Sequence, residues 1–444
     1  MPENSSKTIE SIDFTSFRNQ VLDDYKLACE SREASLLGRK EVLTGKAKFG
    51  IFGDGKELAQ VALSKQFKDG DFRSGYYRDQ TIMLAIKELT IEQFFSGLYG
   101  HTDVKVEPQS AGRQMGGHYA TRNLDENGQW KDLMSQKNSS ADISPTAGQM
   151  PRLVGLAQAS KVYRSNKSLS SLPKSKKFTN NGNEVAFGTI GDASTSEGPF
   201  WESINAAGVM QIPLVMSVWD DGFGISVPRK YQTTKGSISD ALAGMQRSET
   251  KNGYEIFVTR GWDYSHLCET YEKAVRLARE EHVPVLIHVK EVNQPQGHST
   301  SGSHERYKSP ERLQWEIDFD CILKFKEWIL EFQAGDNVIC TEEELDKIQS
   351  DAKQTVLDAK NKSWKQYTSD INIDLKDAIA ILTEVANSSP QKVFIQKEIE
   401  SLKKSYEPIR KDIISTSRRV LRLIASEESS AKEKISAWIK SKID

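Results

Sequence analysis

Asp192 and Asp221 each stand one residue beyond a short apolar run, and that placement gives the chain its clearest chemistry. Glu184–Ile190 and Leu214–Trp219 read as buried strands, and between them Phe200, Ile204, Ala207 and Val209 mark a helix halted at Pro213. Such a unit is expected to be parallel and right-handed, with both acidic turns at the carboxyl ends of neighbouring strands. Two carboxylates there can share one hard cation, with a backbone carbonyl near Phe223 as a third oxygen ligand. Phosphate oxygens and water would then complete the octahedron. The turn Gly191-Asp192-Ala193-Ser194 also opens a helix, whose N-terminus favours an anion. An ordinary strand–helix–strand unit with capping aspartates accounts for the same pattern, so the residues alone leave both readings open.

Other stretches carry polar chemistry. Tyr77-Arg78 precedes a helix predicted over 80–89, where a cation opposes the helix dipole and so meets an anion or stays solvated. Residues 112–120 are small and polar around His118, and Ile143–Pro151 leads into an apolar helix at Leu153–Val162. The hydroxyl-rich loop 297–304, with His298, has almost no apolar anchor and is expected to order when something binds. Gly53-Asp54-Gly55 reads as a plain loop opening a helix.

These groups need a frame, and 444 residues are enough for one large α/β domain and a smaller part. Tyr254–Thr259 and Pro284–Val292 read as further strands around a helix at Tyr264–Glu281. Phe14–Glu41 is helical, after a loose tail of about thirteen residues. Residues 121–142 read as a long polar loop and 164–183 as an exposed insertion. Helices follow at 310–332 and from a capping box at Thr341 to about Tyr367, then helix upon helix from Ile373. The expected division is 1–40, a helical segment; 41–335, the α/β domain; and 336–444, a helical extension or linker. Lys+Arg of 60 against Asp+Glu of 62 gives no basic surface for nucleic acid. The cysteines Cys29, Cys268, Cys321 and Cys340 are scattered as in a reduced compartment. No basic segment followed by an apolar core opens the chain, and no run reaches membrane-span length, so a cytoplasmic, membrane-free protein is expected.

Gly191-Asp192, Ser196-Glu197-Gly198, Asn205-Ala206-Ala207, Pro213 and Gly222-Phe223 together resemble the thiamine diphosphate motif of transketolase-like enzymes. The likeness is greatest to the alpha subunit of 2-oxoacid dehydrogenases. Two positions depart from that motif: Ala193 stands for its third glycine, and Asp220-Asp221 for its Asn-Asn pair. The extra negative charge calls for a cation nearby. Tyr77-Arg78, the string around His118, the turn with Ser144, Pro145 and Gln149, and the loop at His298 resemble further segments of the same family, in the same order. The 112–120 string is most similar to the branched-chain type.

The resemblance implies a thiamine diphosphate-binding fold: a mostly parallel sheet with helices on both faces, here with a helical C-terminal extension. It implies thiamine diphosphate and Mg²⁺ as cofactors, held by Tyr77, Arg78, Ser144, Gly191, Asp192, Ala193, Ser194 and Asp221. Asp192, Asp221 and the Phe223 carbonyl would be metal ligands, and His298 and His118 active-site histidines. The implied reaction is oxidative decarboxylation of a branched-chain 2-oxoacid with acyl transfer to a lipoyl group on a partner acyltransferase. A beta subunit, or a fused beta half, would complete the site, which makes the protein an oligomer. A pyruvate-type enzyme, another transketolase-like enzyme and an inactive scaffold of the same fold are the alternatives.

Overall fold

The structure, a computed structural model, describes residues 13–442, so the expected amino-terminal tail lies outside the described residues except for Asp13. Asp13 caps the first helix, Phe14–Leu43, by accepting from the Ser16 amide.

In chain order the strands are β1 (Phe72–Ser74), β2 (Asn138–Ser139), β3 (Ala186–Gly191), β4 (Leu214–Trp219), the hairpin β5 (Phe223–Gly224) and β6 (Val227–Pro228), β7 (Glu255–Arg260), β8 (Val285–Lys290) and a second hairpin, β9 (Gln333–Ala334) and β10 (Asn337–Val338). Six of them form one sheet in the order β2-β1-β3-β4-β8-β7, every ladder parallel. The strands of the central pair show why their sequences are continuously apolar. Ala186, Ile190, Met216 and Val218 pack on one face with Leu153, Ala157, Phe200 and Ile204 from the helices Gln149–Ser165 and Gly198–Met210. On the other face Phe187 meets Phe67 at 4.9 Å between ring centroids, and Tyr271 of the helix Tyr264–Glu281 donates to the Ser217 hydroxyl. Residues that alternate between two buried faces leave no polar side to read. Each fully buried aliphatic or aromatic side chain contributes about 1.5–3 kcal/mol. The α/β class with helices on both faces holds, and the sheet is parallel throughout.

Several expectations shift. β1 lies in a stretch to which no element was assigned, and β2 where a loop was read. They are three and two residues long, too short for periodicity to mark, and exist through the pairings Phe72↔Asn138 and Arg73↔Ser139. The helix expected at 80–89 spans Gln80–Ala85, because Lys87 takes φ 64° and turns the chain. The segment 164–183 contains a short helix, Lys167–Ser170, and a 3-10 turn, Pro173–Lys177. The capping box at Thr341 is present, its hydroxyl accepting from Glu344 N while Glu344 accepts from Thr341 N. The helix it starts runs to Ser388.

The chain forms two compact units, the first ending at Lys360 and the second covering Asn361–Asp444. The boundary differs from the expected 335/336 because residues 342–360 pack within the first unit: Leu345, Ala352 and Val356 are buried, and Gln349 donates to the Tyr25 hydroxyl. The first helix belongs to that unit too, with Arg32 paired to Glu57 and Asp320. In the second unit Leu382, Ile395, Val420 and Ile435 form a core of their own with Ile399 and Ile424. Among the described residues, no helix is long and apolar enough to cross a membrane.

Candidate active site

β3 and β4 end in register, Gly191 opposite Trp219, so the two acidic loops leave from adjacent strand ends. The three aspartates there have different surroundings. Asp220 accepts from Arg229 and from His288 Nε2 at 2.9 Å, and His288 reaches the Ser239 hydroxyl through Nδ1. Burial would raise the Asp220 carboxyl, but the His288 hydrogen bond and the Arg229 guanidinium hold it below the usual carboxylate value. Asp221 points elsewhere: Oδ1 accepts from Phe223 N at 3.1 Å, and Oδ2 lies 3.3 Å from Lys56 Nζ. Asp192 is buried with no hydrogen-bond partner on Oδ2. Burial first, then the neighbouring Asp221 and Asp220, push its carboxyl well above the ordinary range.

Tyr77 and Arg78 sit on a turn fixed from below. Arg73 of β1, fully buried, donates from Nε to Asp79 at 2.8 Å and forks onto both oxygens of Asp142 at 3.1 and 2.9 Å. Asp79 also accepts from Tyr76 N and Thr189, while Asp142 accepts from Tyr119 N. One guanidinium thus ties the 76–79 turn to the 118–120 segment and to the start of the 143–149 loop. Arg78 lies over the Tyr77 ring, 5.2 Å from its centroid. Its Nη1 donates to the Phe52 carbonyl at 2.6 Å, and its Nη2 to His298 Nδ1 and O at 3.1 and 3.0 Å. Arg78 has no lone pair to accept with, so His298 Nδ1 is the acceptor and Nε2 carries the hydrogen. Burial, then the Arg78 charge, push His298 down to about 4.

The loop that carries His298 is held by polar contacts in place of the apolar anchor it lacks. Thr300 exchanges bonds with Gly50, and Arg39 donates to the Ser299 carbonyl at 3.1 Å. His118 stands apart. Its Nδ1 faces the Met115 carbonyl at 3.1 Å, so that nitrogen is protonated, and Nε2 accepts from the Ser144 hydroxyl at 3.0 Å.

A cavity of about 330 Å³ opens at the carboxyl ends of β3 and β4. Tyr77, Arg78, Gly191, Asp192, Ala193, Ser194, Asp221, Phe223 and His298 all line it. His118 and Ser144 do not, although Thr146 from the Ser144 loop does. Three buried polar atoms without a protein partner belong to lining residues: Asp192 Oδ2, Tyr76 Oη and Trp219 Nε1. Buried polar groups are almost always satisfied, so a cluster of unsatisfied ones around a cavity fits a polar occupant. Two cations, Arg78 and Lys56, facing two aspartates give that occupant a phosphate-like donor set with room for a cation. Among the described residues no group of three or more His, Cys, Asp or Glu side chains is disposed to hold a metal, so any ion here would lean on the occupant's own oxygens.

Lys56 was missed by sequence reasoning, because Gly53-Asp54-Gly55 looked like a plain helix start. It is fully buried and donates to Gln294 Oε1 at 2.6 Å and to the Asn293 carbonyl at 3.1 Å, besides facing Asp221. Burial lowers its pKa from the usual lysine value, while Asp221 pulls the other way. The cation demanded by an aspartate at 221 was the available signal, but nothing in the sequence said which lysine would answer. Arg73 and His288 were missed too, because each acts through residues distant in the chain.

The family described as dehydrogenase E1 component matches residues 31–372. The chain is 26% identical over 289 residues to the 2-oxoisovalerate dehydrogenase subunit alpha of Bacillus subtilis (strain 168), covering 65% of this chain and 75% of that protein. It is 26% identical over 321 residues to subunit alpha 1 of the mitochondrial 2-oxoisovalerate dehydrogenase of Arabidopsis thaliana, 71% of this chain and 57% of that one. Against the Homo sapiens mitochondrial alpha subunit the identity is 24% over 289 residues, 64% and 55% of the two chains. The match therefore spans between about half and three quarters of these relatives' lengths.

Proposed function

The chain belongs to the dehydrogenase E1 component family, and from that premise we propose that it is the alpha-type, decarboxylating component of a branched-chain 2-oxoacid dehydrogenase. The family is thiamine diphosphate-dependent. The observation that carries the reading is the single cavity in which the acidic loops, Tyr77-Arg78 and His298 meet around unsatisfied polar atoms. Bound there, thiamine diphosphate supplies the nucleophilic carbon and the electron sink for loss of CO₂ from a 2-oxoacid.

The chain's own residues position and polarise. Three of the five Arg78 N–H groups are engaged by Phe52 and His298, which leaves two for diphosphate oxygens. Asp192 and Asp221, with the Phe223 carbonyl, would hold a Mg²⁺ ion, which would supply charge neutralisation for the diphosphate. His298, neutral and with its hydrogen on Nε2, offers a donor to the acyl group as it passes to a lipoyl group. Ser144, which donates to His118, stays off the cavity wall, and its loop reaches the cavity through Thr146. A beta subunit and a lipoyl-bearing acyltransferase complete the assembly.

The branched-acid reading rests on the likeness to the 2-oxoisovalerate dehydrogenase alpha subunits, since Gly117 packs against the Tyr77 carbonyl, where a Cβ would stand 2.7 Å away. One methylene in an apolar pocket is worth about 1–3 kcal/mol, roughly tenfold to a hundredfold. The test is kcat/KM for 3-methyl-2-oxobutanoate and for pyruvate with a reconstituted beta partner. Preference for the branched acid is expected. Pyruvate winning would move the assignment to the pyruvate type, and Asp192→Ala binding thiamine diphosphate as well as the unaltered protein would remove the cofactor assignment.

A further inference from the structure

The aspartate at 221 adds a negative charge beside Asp192, and the structure answers it with a lysine from a remote loop. Lys56 reaches the cavity because Gly55 takes φ +82° with its Cα against the Asn293 carbonyl, where a Cβ would stand 2.2 Å from that oxygen. Asp54 fastens the same two segments, accepting from Gln296 N at 3.1 Å. The carbonyl and amide oxygens around Lys56 Nζ satisfy its protons without cancelling its charge; Asp221 alone among its hydrogen-bond partners is ionic. Lys56 and Arg78 thus place two cations against Asp192 and Asp221, with Asp54 close enough to act on both, before any metal is added.

We propose that Lys56 is a resident counter-cation of the cofactor cavity, neutralising Asp221 and lending its charge to the bound diphosphate, so that cofactor binding depends only weakly on divalent metal. The inference rests on the thiamine diphosphate reading above. In the low-dielectric cavity an ammonium near the phosphates performs part of the work otherwise left to the ion. A purely structural buried pair would hold the loops together without altering the metal requirement, and that difference decides the matter.

The experiment is calorimetric titration of the full chain with thiamine diphosphate, in saturating Mg²⁺ and in EDTA. For the unaltered protein the two dissociation constants are expected to differ by less than about tenfold, and for Lys56→Met by at least about a hundredfold, the scale of a lost charge-assisted contact. Circular dichroism checks the fold. Should Lys56→Met not fold, the double variant K56M/D221N removes both charges together and decides instead: it is expected to bind with Mg²⁺ and to lose binding in EDTA. An unaltered protein that needs Mg²⁺ as strongly as the variants overturns the role of Lys56 and leaves the cofactor reading standing. No binding by the unaltered protein even in saturating Mg²⁺ overturns the cofactor reading, and this inference with it.

Discussion

His298 is held neutral by burial and by the Arg78 and Lys56 charges, against a pull from Asp221, and these causes can be separated. Burial is the largest and the Arg78 charge the second, and the balance brings the imidazole to about 4. A histidine with a folded pKa below its unfolded value of about 6.5 binds fewer protons when folded, so stability rises with pH between those values. It is complete above about 6.5 and is lost as pH falls toward 4. Replacing Arg78 by Met removes only the second cause. His298 in the apo chain is expected to titrate higher than in the unaltered protein yet still below 6.5, followed by NMR of labelled histidine. The same spectra report the tautomer, since Nδ1 loses its donor. No upward movement would mean that Arg78 does not set the charge state of His298. Asp220 and Asp221 make a related point: neighbours in sequence, one is committed to Arg229 and His288 and the other to Lys56. The pair was visible in the sequence; the division of roles follows from partners on β8, the 229 turn and the 56 loop.

The loops 53–56 and 293–296 work as one element, since Gly55 and Asp54 lock them together and each delivers a functional group, Lys56 and then His298. Gly55→Ala meets two costs. A left-handed residue with a Cβ costs about 1–2 kcal/mol, and forcing that Cβ against the Asn293 carbonyl adds overpacking of about 1–3 kcal/mol. Gly128 is the control: φ is +73°, and a Cβ there meets nothing within 4 Å. Denaturant unfolding should show Gly55→Ala losing clearly more stability than Gly128→Ala, with weakened thiamine diphosphate binding only in the former. Equal losses would show that the two loops are not locked at Gly55. The contrast also marks what was legible at this scale. β3, β4 and the helix between them announce themselves because burial on two faces writes long apolar runs. β1, β2 and the 56 loop are invisible because long-range pairing, not local pattern, makes them.

Charge and packing divide the whole molecule differently. The site belongs to the first unit, where the family match chiefly lies, while the second unit keeps a separate apolar core. The helical character of the last part was readable from Leu and Ile at three- and four-residue spacing, as at Leu375, Ile379 and Leu382. Its boundary was not, because the helix Glu342–Ser388 runs across 360/361 with no break in its pattern. A separate core predicts a separable response to damage. Leu382 is fully buried among Ile395, Ile399 and Val420, so Leu382→Ala should destabilise the second unit by about 2–5 kcal/mol through lost transfer energy and the cavity left behind. Scanning calorimetry of the full chain is expected to show the transition of the second unit shifted down and that of the first unchanged. Thiamine diphosphate affinity, a property of the first unit, should be unaltered. A single transition moving as a whole, with affinity falling alongside it, would mean that the two cores unfold as one and that the second unit supports the site.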